Sequence, residues 1–581
     1  MEMNYPEVIS LRNRLRDNLT RMLPTWQTLS LFLDPGRLTQ WPDSSKNDGS
    51  RKDFRIIDNE AGRALRIFTS GMANGATPQV RQWFNLTTTD YKIAKRQNVK
   101  KYFEDTSAII TTHLQLSNFY RVMNSAYKDL GIFSNSAFAM LPHPRTGFWF
   151  YPFAVGTYSF SCDAEGNPDM FYRDFSMTVR QVVQNYAKLS PTGHIDFSNI
   201  PPWVKEQWDA ARYAETIVLT NLIAPNSQYK GAFDKKFYSY TYVQSAGNNL
   251  PPQLSNGFRN EQVKGPNANP FVKVTGFSYF PVIIPRWEVR PGDDFGMQGP
   301  GEIAMGDILS LQEMEKGRLE GIQKLLKPAM VGHSSLRRHG SSILAGGMTY
   351  VDDAGAAAGF KPAFAVDPKI IELINKSQEV KQAINQSYYV DMFQMFNLGE
   401  VKTHVSARET DERAAERLSN LQPVLSQIDV DCHSKVLAIA QILLEDLGRL
   451  PPKPEELKGQ DTKPEYISAL AQAAKLSSMN SLERFNSFVV NTAAGLQDPT
   501  LLKKIDGAAF IDEYADVLAI PAKVLTTDEE FDKMRQAVAQ QQAQQAAISQ
   551  QQATAATMKD LSQAELGKGS MLDNLATASQ I

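Results

Sequence analysis

The residues of this 581-residue chain that could do chemistry fall into a few groups. GPGEIA (299–304) has the spacing Gly-x-Gly-x-x-Ala and stands where a helix opens, so its backbone N–H groups could hold a pyrophosphate. A dinucleotide turn follows directly on a strand, whereas the strand pattern here ends near Val289, and Pro300 fills the variable place in the turn. A helix-opening turn, with Glu302 set against the positive end of the macrodipole, is the expected reading. The seven histidines are scattered, with only His333 and His339 close in sequence. Cys162 and Cys432 belong to no metal-ligand spacing. SSLRRHGSS (334–342) is a small basic loop that could touch phosphate or acidic side chains, or simply be solvated. The pairs Asp293–Asp294 and Asp352–Asp353 sit in turn sequences, where carboxylates accept backbone N–H groups. The sequences G-x-x-x-x-G-K-[ST], G-x-S-x-G and H-E-x-x-H do not occur. Nothing assembles a nucleophile, a base and an oxyanion site, so no catalytic, cofactor-binding or metal-binding residues are expected.

The totals narrow the field further. A hydrophobic fraction of 42% can fill a real core, and the length alone suggests about four domains, although interleaved segments blur such a count. With 61 basic against 63 acidic side chains the formal charge is −2, so any contact with nucleic acid must be local or weak. Two distant cysteines fit a reducing compartment. The start, PEVISLRNRLRDNLTRML, is charged throughout and unlike a secretory signal, and no run of about 18 apolar residues offers a membrane span.

The elements that must position these residues read as mostly helical α+β. Residues 4–32 form a helix with Val8, Leu11, Leu15, Leu19 and Met22 on one stripe. Arg12, Arg14, Arg16 and Arg21 lie elsewhere, as a solvated face or a subunit contact. A second helix from about Asp58 runs into the small-residue stretch SGMANGATP and the strand-like QWFNLTT, and residues 98–130 read as helix. From Phe138 to Tyr172 the pattern turns to strands, with FWFYPFAVGTYSF (148–160) read as a pair. A short helix (177–189) follows, then short strands in a compact insertion between two helices.

A long charged helix follows GPGEIA. Ile308, Leu311, Met314, Leu319, Ile322 and Leu325 fall near three- and four-residue spacing, leaving Lys316, Lys324 and several acids on other faces. Beyond it, SARE at Ser406 and Thr527 with Glu530 have capping-box spacing, and Pro423 must begin, bend or break a helix. Gly448 with two prolines after it marks a helix end. The final Gln/Ala tract has no sustained apolar stripe, so it is either disordered after about residue 545 or a helix ordered only by neighbouring subunits.

Five stretches, in order and spanning almost the whole chain, resemble the head-to-tail connecting, or portal, proteins of short-tailed bacteriophages. They are AGRALRIFTSGMANGATPQVRQWFNL (61–86), VGTYSFSCDAEGNPDMFYRDFSMTVRQVVQNY (155–186) with its D-x-x-G turn and Tyr-Arg pair, FPVIIPRWEVRPGDDFGMQGPGEIAMGDILSLQ (280–312), HVSARETDER (404–413), and LQPVLSQI through GRLPP (421–452). Departures are GMQG where the family often has Y-G-x-S, Ser406 for the commoner threonine, and VDCHSKVL for an acidic-Leu-Pro pattern.

The resemblance implies a non-enzymatic ring, usually of twelve subunits, at one capsid vertex of the virion, assembled in the host cytoplasm. Double-stranded DNA enters through it under the terminase motor and leaves through it. Implied partners are capsid and scaffolding proteins, terminase and tail adaptors, with no cofactor and no membrane. The implied regions are wing (1–176), first stem helix (177–189), clip (190–300), second stem helix (301–332), second wing part (333–405, with a tunnel loop near 396–408), crown helices (406–545) and a Gln/Ala-rich tail (546–581). Lys402, His404 and Arg408 in that loop, and Lys316, Lys324 and Lys327 on the stem, become candidates to face DNA, with intersubunit ion pairs or plain exposure as the alternative. Twelve helices at about 9–10 Å spacing enclose a bore of roughly 25 Å, and a stem helix from Ala304 to Lys327 is about 36 Å long. Two other readings stay open: a virion ring or tail adaptor without DNA passage, and a nucleotide-dependent enzyme using GPGEIA.

Overall fold

The computed structural model describes residues 5–37, 55–94, 96–189, 195–226, 234–244, 271–327, 330–331, 361–362, 370–397, 422–457, 459–467, 485–492, 507, 510–511 and 528–563. The expected capping boxes at Ser406 and Thr527, the loop 334–342 and Asp352–Asp353 lie outside them. Helices outweigh strands, and the described strand pairs are all antiparallel, an α+β fold.

Helix α1 (Tyr5–Leu33) buries Val8, Arg12, Leu15 and Leu19 at three- and four-residue steps, and Trp26 and Leu29 two turns further along the same face. Helix α2 (Glu60–Ala76) runs on through SGMANGA rather than giving way to a turn. The small residues serve close approach, since a Cβ on Gly71 would collide with the ring of Phe393 from a later helix. After β1 (Phe84–Thr88) and α3 (Tyr91–Ala94), the stretch expected as one helix over 98–130 divides into α4 (Gln97–Leu116) and α5 (Phe119–Phe133). At the break the Ser117 hydroxyl oxygen accepts the Phe119 N–H at 3.2 Å and restarts the helix.

Strands β2 (Phe138–His143), β3 (Gly147–Pro152), β4 (Tyr158–Cys162) and β5 (Pro168–Thr178) follow. The aromatic stretch 148–160 does hold two strands, but they are not partners: β3 pairs with β2, and β4 with β5. Next come α6 (Val179–Tyr186), started by a reciprocal capping box between Thr178 and Gln181, then β6 (Lys188–Leu189), β7 (Ile195–Asp196) and α7 (Pro202–Asp209). Strands β8 (Thr216–Pro225), β9 (Phe237–Val243), β10 (Lys273–Phe277) and β11 (Val282–Ile283) complete the region. The sheet order is β10-β9-β8-β5-β4, with β8 on β5 from Thr178↔Thr216 to Phe171↔Ile223. The sheet joins the β layer to the strands of the compact insertion between helices. Strand β5 is 11 residues long and pairs along both edges, so the two segments are one sheet.

Helix α8 (Pro300–Leu326) leads to the short pair β12 (Met330–Val331) and β13 (Lys361–Pro362), then α9 (Ile370–Ser387) and α10 (Val390–Asn397). Helix α11 (422–428) has Pro423 in its first turn, passes through a π-helical turn at Asp429–His433, and continues as α12 (Ser434–Asp446). Strand β14 (Thr462–Tyr466) returns to pair with β1, from Phe84↔Tyr466 to Thr88↔Thr462. The last helix, α13 (Asp528–Gln563), carries the Gln/Ala tract. One large core spans segments from α1 to Leu457.

Two buried arginines stitch this interleaved chain. Arg12 is not on a solvated face as expected. Steps of 8, 12, 15 and 19 put it on the stripe that α1 lays against the sheet, where it is 5% exposed. Its guanidinium meets Asp174 of β5 at 3.2 Å, and that carboxylate also accepts Thr220 Oγ1 (2.6 Å), Gln244 Nε2 (2.7 Å) and the Tyr172 hydroxyl. Arg286, 2% exposed, uses all five donors inside the protein. Nε and Nη2 fork onto Asp431 at 2.8 and 3.0 Å, Nη2 also reaches the Gly166 carbonyl (2.9 Å), and Nη1 reaches the Asp294 carbonyl (3.2 Å) and Cys162 Sγ (3.3 Å). Burial pushes the Cys162 thiol up to about 12 despite the Arg286 charge, so the acceptor is a neutral sulfur.

The start of α8 is fixed by the end of α5. Ser134 caps α5 in the left-handed region (φ 62°), and its hydroxyl oxygen accepts the Gly299 N–H at 2.9 Å. A Cβ on Gly301 would stand 2.8 and 2.9 Å from the carbonyls of Gly131 and Ile132, which are backbone and cannot swing away. Gly301→Ala is therefore expected to lower stability by about 1–3 kcal/mol through overpacking, read as a fall in the thermal midpoint. Arg286→Met, which strands the Asp431 charge, costs about 3–5 kcal/mol, and Arg286→Met with Asp431→Met recovers part of it. Denaturant titration of the three proteins checks the pair: equal losses in single and double variants would refute the arrangement.

Candidate functional site

Helix α8 is the element that the sequence singles out, and its 27 residues make a rod of about 40 Å. Its first half is anchored on every side that faces the body. Gln312 Oε1 accepts the N–H groups of Ile57 (2.7 Å) and Asp58 (3.0 Å), and its amide nitrogen donates to the Asp58 carbonyl at 2.8 Å. Lys381 of α9 reaches the Asp58 carboxylate at 2.7 Å. Glu315, 3% exposed, accepts Ser377 Oγ from α9 at 2.8 Å and pairs with Arg318 at 2.6 Å. A carboxylate on the core stripe is tolerated there because both oxygens are answered.

The second half is different. The stripe expected to pack throughout holds only as far as Ile308 and Leu311. Leu319 is 46% exposed, Leu325 46% and Leu326 76%. Leu319, Ile322 and Leu326 prolong the same face as Ile308, Leu311 and Glu315, at ~100° per residue, beyond the point where the body covers it. The opposite face carries Glu313, Lys316, Glu320, Lys324 and Lys327, all exposed and within about an 80° arc. Three cations and two anions share that arc, so its field is weakly positive. Lys324 in the last turn also suits the negative end of the macrodipole. Of the six candidate DNA-facing residues, the structure thus gathers Lys316, Lys324 and Lys327 on one face. Lys402, His404 and Arg408 lie outside the described residues.

GPGEIA opens α8 as expected but leaves no room for a dinucleotide. Its glycines are pressed on Ser134 and on the last carbonyls of α5, and Glu302 accepts the Gln298 N–H at 2.6 Å. Burial raises the Glu302 carboxyl above its ordinary range, against the pull of its hydrogen bonds. Sequence reading misses one array with a familiar order. Asp429 meets His433 Nδ1 at 2.6 Å, His433 Nε2 meets the Tyr127 hydroxyl at 3.0 Å, and that hydroxyl meets Thr77 at 3.1 Å. The four-residue step from Asp429 to His433 is its one sequence signal. Tyr127 and His433 are 0% and 1% exposed, and burial drives the phenol far above its usual ionisation. The array holds α2, α5 and the π-helical turn together and presents no nucleophile to solvent.

Among the described residues no group of three His, Cys, Asp or Glu side chains could hold a metal ion, and no helix is long and apolar enough to cross a membrane. Helix α13 runs through Gln563, and along it the described side chains from 531 to 552 are all exposed.

Likeness to known proteins runs nearly end to end. The portal protein of Salmonella phage epsilon15 is 29% identical over 569 residues, 97% of this chain and 96% of that protein. The probable portal protein of Bordetella phage BPP-1 is 27% identical over 552 residues, 94% of each. A solved chain from the virion of a native gene transfer agent particle aligns with 80% of this chain and 89% of its own at 10% identity and a TM-score of 0.34, too distant to bear on the argument. The family described as bacteriophage head to tail connecting protein matches residues 6–525, and this chain belongs to it.

Proposed function

We propose that this chain is a portal subunit, one of a closed ring of copies at a capsid vertex through which double-stranded DNA is packaged and ejected. The observation that carries the reading is the likeness to the epsilon15 portal protein over 97% of this chain, since a likeness of that extent leaves no large segment for a different task. The two halves of α8 agree with it. A lone chain leaves Leu319, Leu325 and Leu326 in water, whereas copies standing side by side would cover them. Such a helix stands as a stave: fixed at its base in its own subunit and completed at its tip by its neighbours.

In this reading α6 and α8 are the stem, residues 1–176 with 333–405 the wing, 190–300 the clip and 406–545 the crown. The ring, of about twelve copies, has a bore of roughly 25 Å between helix walls. The clip meets terminase and later the tail adaptors, and the wing meets capsid and scaffolding proteins. The subunit makes and breaks no bonds; it is a conduit at the head–tail junction of the virion, assembled in the host cytoplasm. Its charge suits a conduit. Each phosphate that a cation neutralises strengthens a salt-dependent grip, so a lumen of balanced charge lets DNA slide. Lys316 and Lys324 of α8, with Lys327 just beyond it, share their face with Glu313 and Glu320, which keeps that grip weak.

Negative-stain images of the purified protein are expected to show annuli with a central hole; solitary particles at every concentration and salt would refute the reading. Replacing Lys316, Lys324 and Lys327 by Gln should leave the annulus intact and flatten the salt dependence of DNA retention in filled particles, by up to about 0.9 in log–log slope for each phosphate that is no longer neutralised. An unchanged slope would assign those lysines to subunit contacts instead. The same measurement on Lys402→Gln with Arg408→Gln tests the loop 396–408.

A further inference from the structure

Four glycines lie inside α8 and a fifth, Gly299, caps it, and they are of two kinds. Gly299 and Gly301 are pressed against α5 and its end, where a side chain would collide with Ser134 or with the carbonyls of Gly131 and Ile132. At Gly306, Gly317 and Gly321 an added Cβ would meet nothing within 4 Å among the described residues. Nor is any of these three in the left-handed region, so alanine could stand at each without strain. What remains of such a glycine is its effect on the helix. Each weakens it about four- to fivefold relative to alanine, because the unfolded backbone has more freedom to lose.

Where the glycines fall decides what that weakening does. Gly306 lies within the anchored half, between the buried Ala304 and Ile308 and ahead of Gln312 and Glu315. The clasp of Gln312 on the 57–58 turn and the bond from Ser377 to Glu315 hold the helix there whatever its own propensity. Glu315 is the last buried residue of α8. From Lys316 to Leu326 every side chain is half-buried or exposed. Gly317 and Gly321 therefore stand just past the last anchor, where little packing offsets a weak helix former and local opening takes little free energy. The ion pair of Arg318 with Glu315 reaches back across that boundary.

We propose that α8 carries a hinge at Gly317, beyond which its last three turns or so open and re-form as a unit while the anchored half stays folded. The two kinds of glycine then serve opposite ends of one helix: those at 299 and 301 fix its seat, and those at 317 and 321 free its tip. The tip can change course without disturbing the seat on α5. Because the hinge belongs to the single chain, it holds or fails independently of the portal reading.

Amide hydrogen exchange of the full-length protein tests this, with each rate expressed as protection relative to an unfolded chain. In wild type the amides from 319 to 326 are expected to exchange well before those from 305 to 315. Gly317→Ala with Gly321→Ala should raise the protection of the tip by about fifteen- to thirtyfold. Gly306→Ala stabilises the same helix by a similar factor but lies in the part that stays folded, so it should leave the tip unchanged. Equal protection along the whole wild-type helix would overturn the hinge, as would a Gly306→Ala variant that slows the tip as much as the double variant does, since α8 would then open in one piece. A double variant whose tip exchanges at the wild-type rate or faster would also overturn it, and would assign Gly317 and Gly321 to a close approach by another molecule.

Discussion

Arg286, on whose guanidinium the rest of the structure depends, sits where a turn, a strand end, a loop and a π-helical segment meet. Each of its five donors goes to a different part of that junction or to the Asp431 fork. A buried ion pair contributes little net stability, because desolvation offsets most of the attraction. What it contributes here is selectivity among arrangements: a packing that misplaces any of Cys162, Gly166, Asp294 or Asp431 leaves a charge or a donor unanswered in the core. Arg12 does the same for α1 on the sheet, with Asp174 as the shared acceptor. The body that carries α8 is rigid because these groups over-determine it.

Rigidity at the base explains how α8 can be bare at its tip. Gln312 and Glu315 tie the first half to the 57–58 turn and to α9, and the glycines at 299 and 301 leave the helix no freedom to slide along α5. The second half then projects with an apolar strip on one side and alternating charge on the other. A helix so placed is fixed along its first half and bare along its second. The long strand β5 joins the strands of 190–300 to those before 176 in a single sheet.

Much of this is legible in the residues. Helix and strand identities follow from periodicity, and the helix-opening turn at GPGEIA follows from its distance to Val289. The differences have physical causes. Arg12 goes to the wrong face when its charge is given more weight than its 8–12–15–19 spacing. The strands in 148–160 look like partners because sequence neighbours usually pair, and the two-sided role of β5 is a property of the sheet that no local pattern records. The apolar stripe of α8 reads as buried at its full length, but periodicity marks what can be buried, and only the placement of α9 decides where burial stops. Arg286 gives no signal beyond its type, because most of its partners lie more than a hundred residues away on either side.

The pairing of β1 with β14 has a consequence for how the protein is made. Phe84 and Tyr466 are register partners, and Trp83 stacks on Tyr466 at 6.4 Å. At about 5–20 residues per second the ribosome delivers the second strand roughly 20–80 s after the first. Throughout that interval the nascent chain holds a Trp-Phe strand edge with nothing to close it. The amino-terminal portion therefore cannot close this sheet until most of the chain has been made, and its folding waits on a segment near the other end.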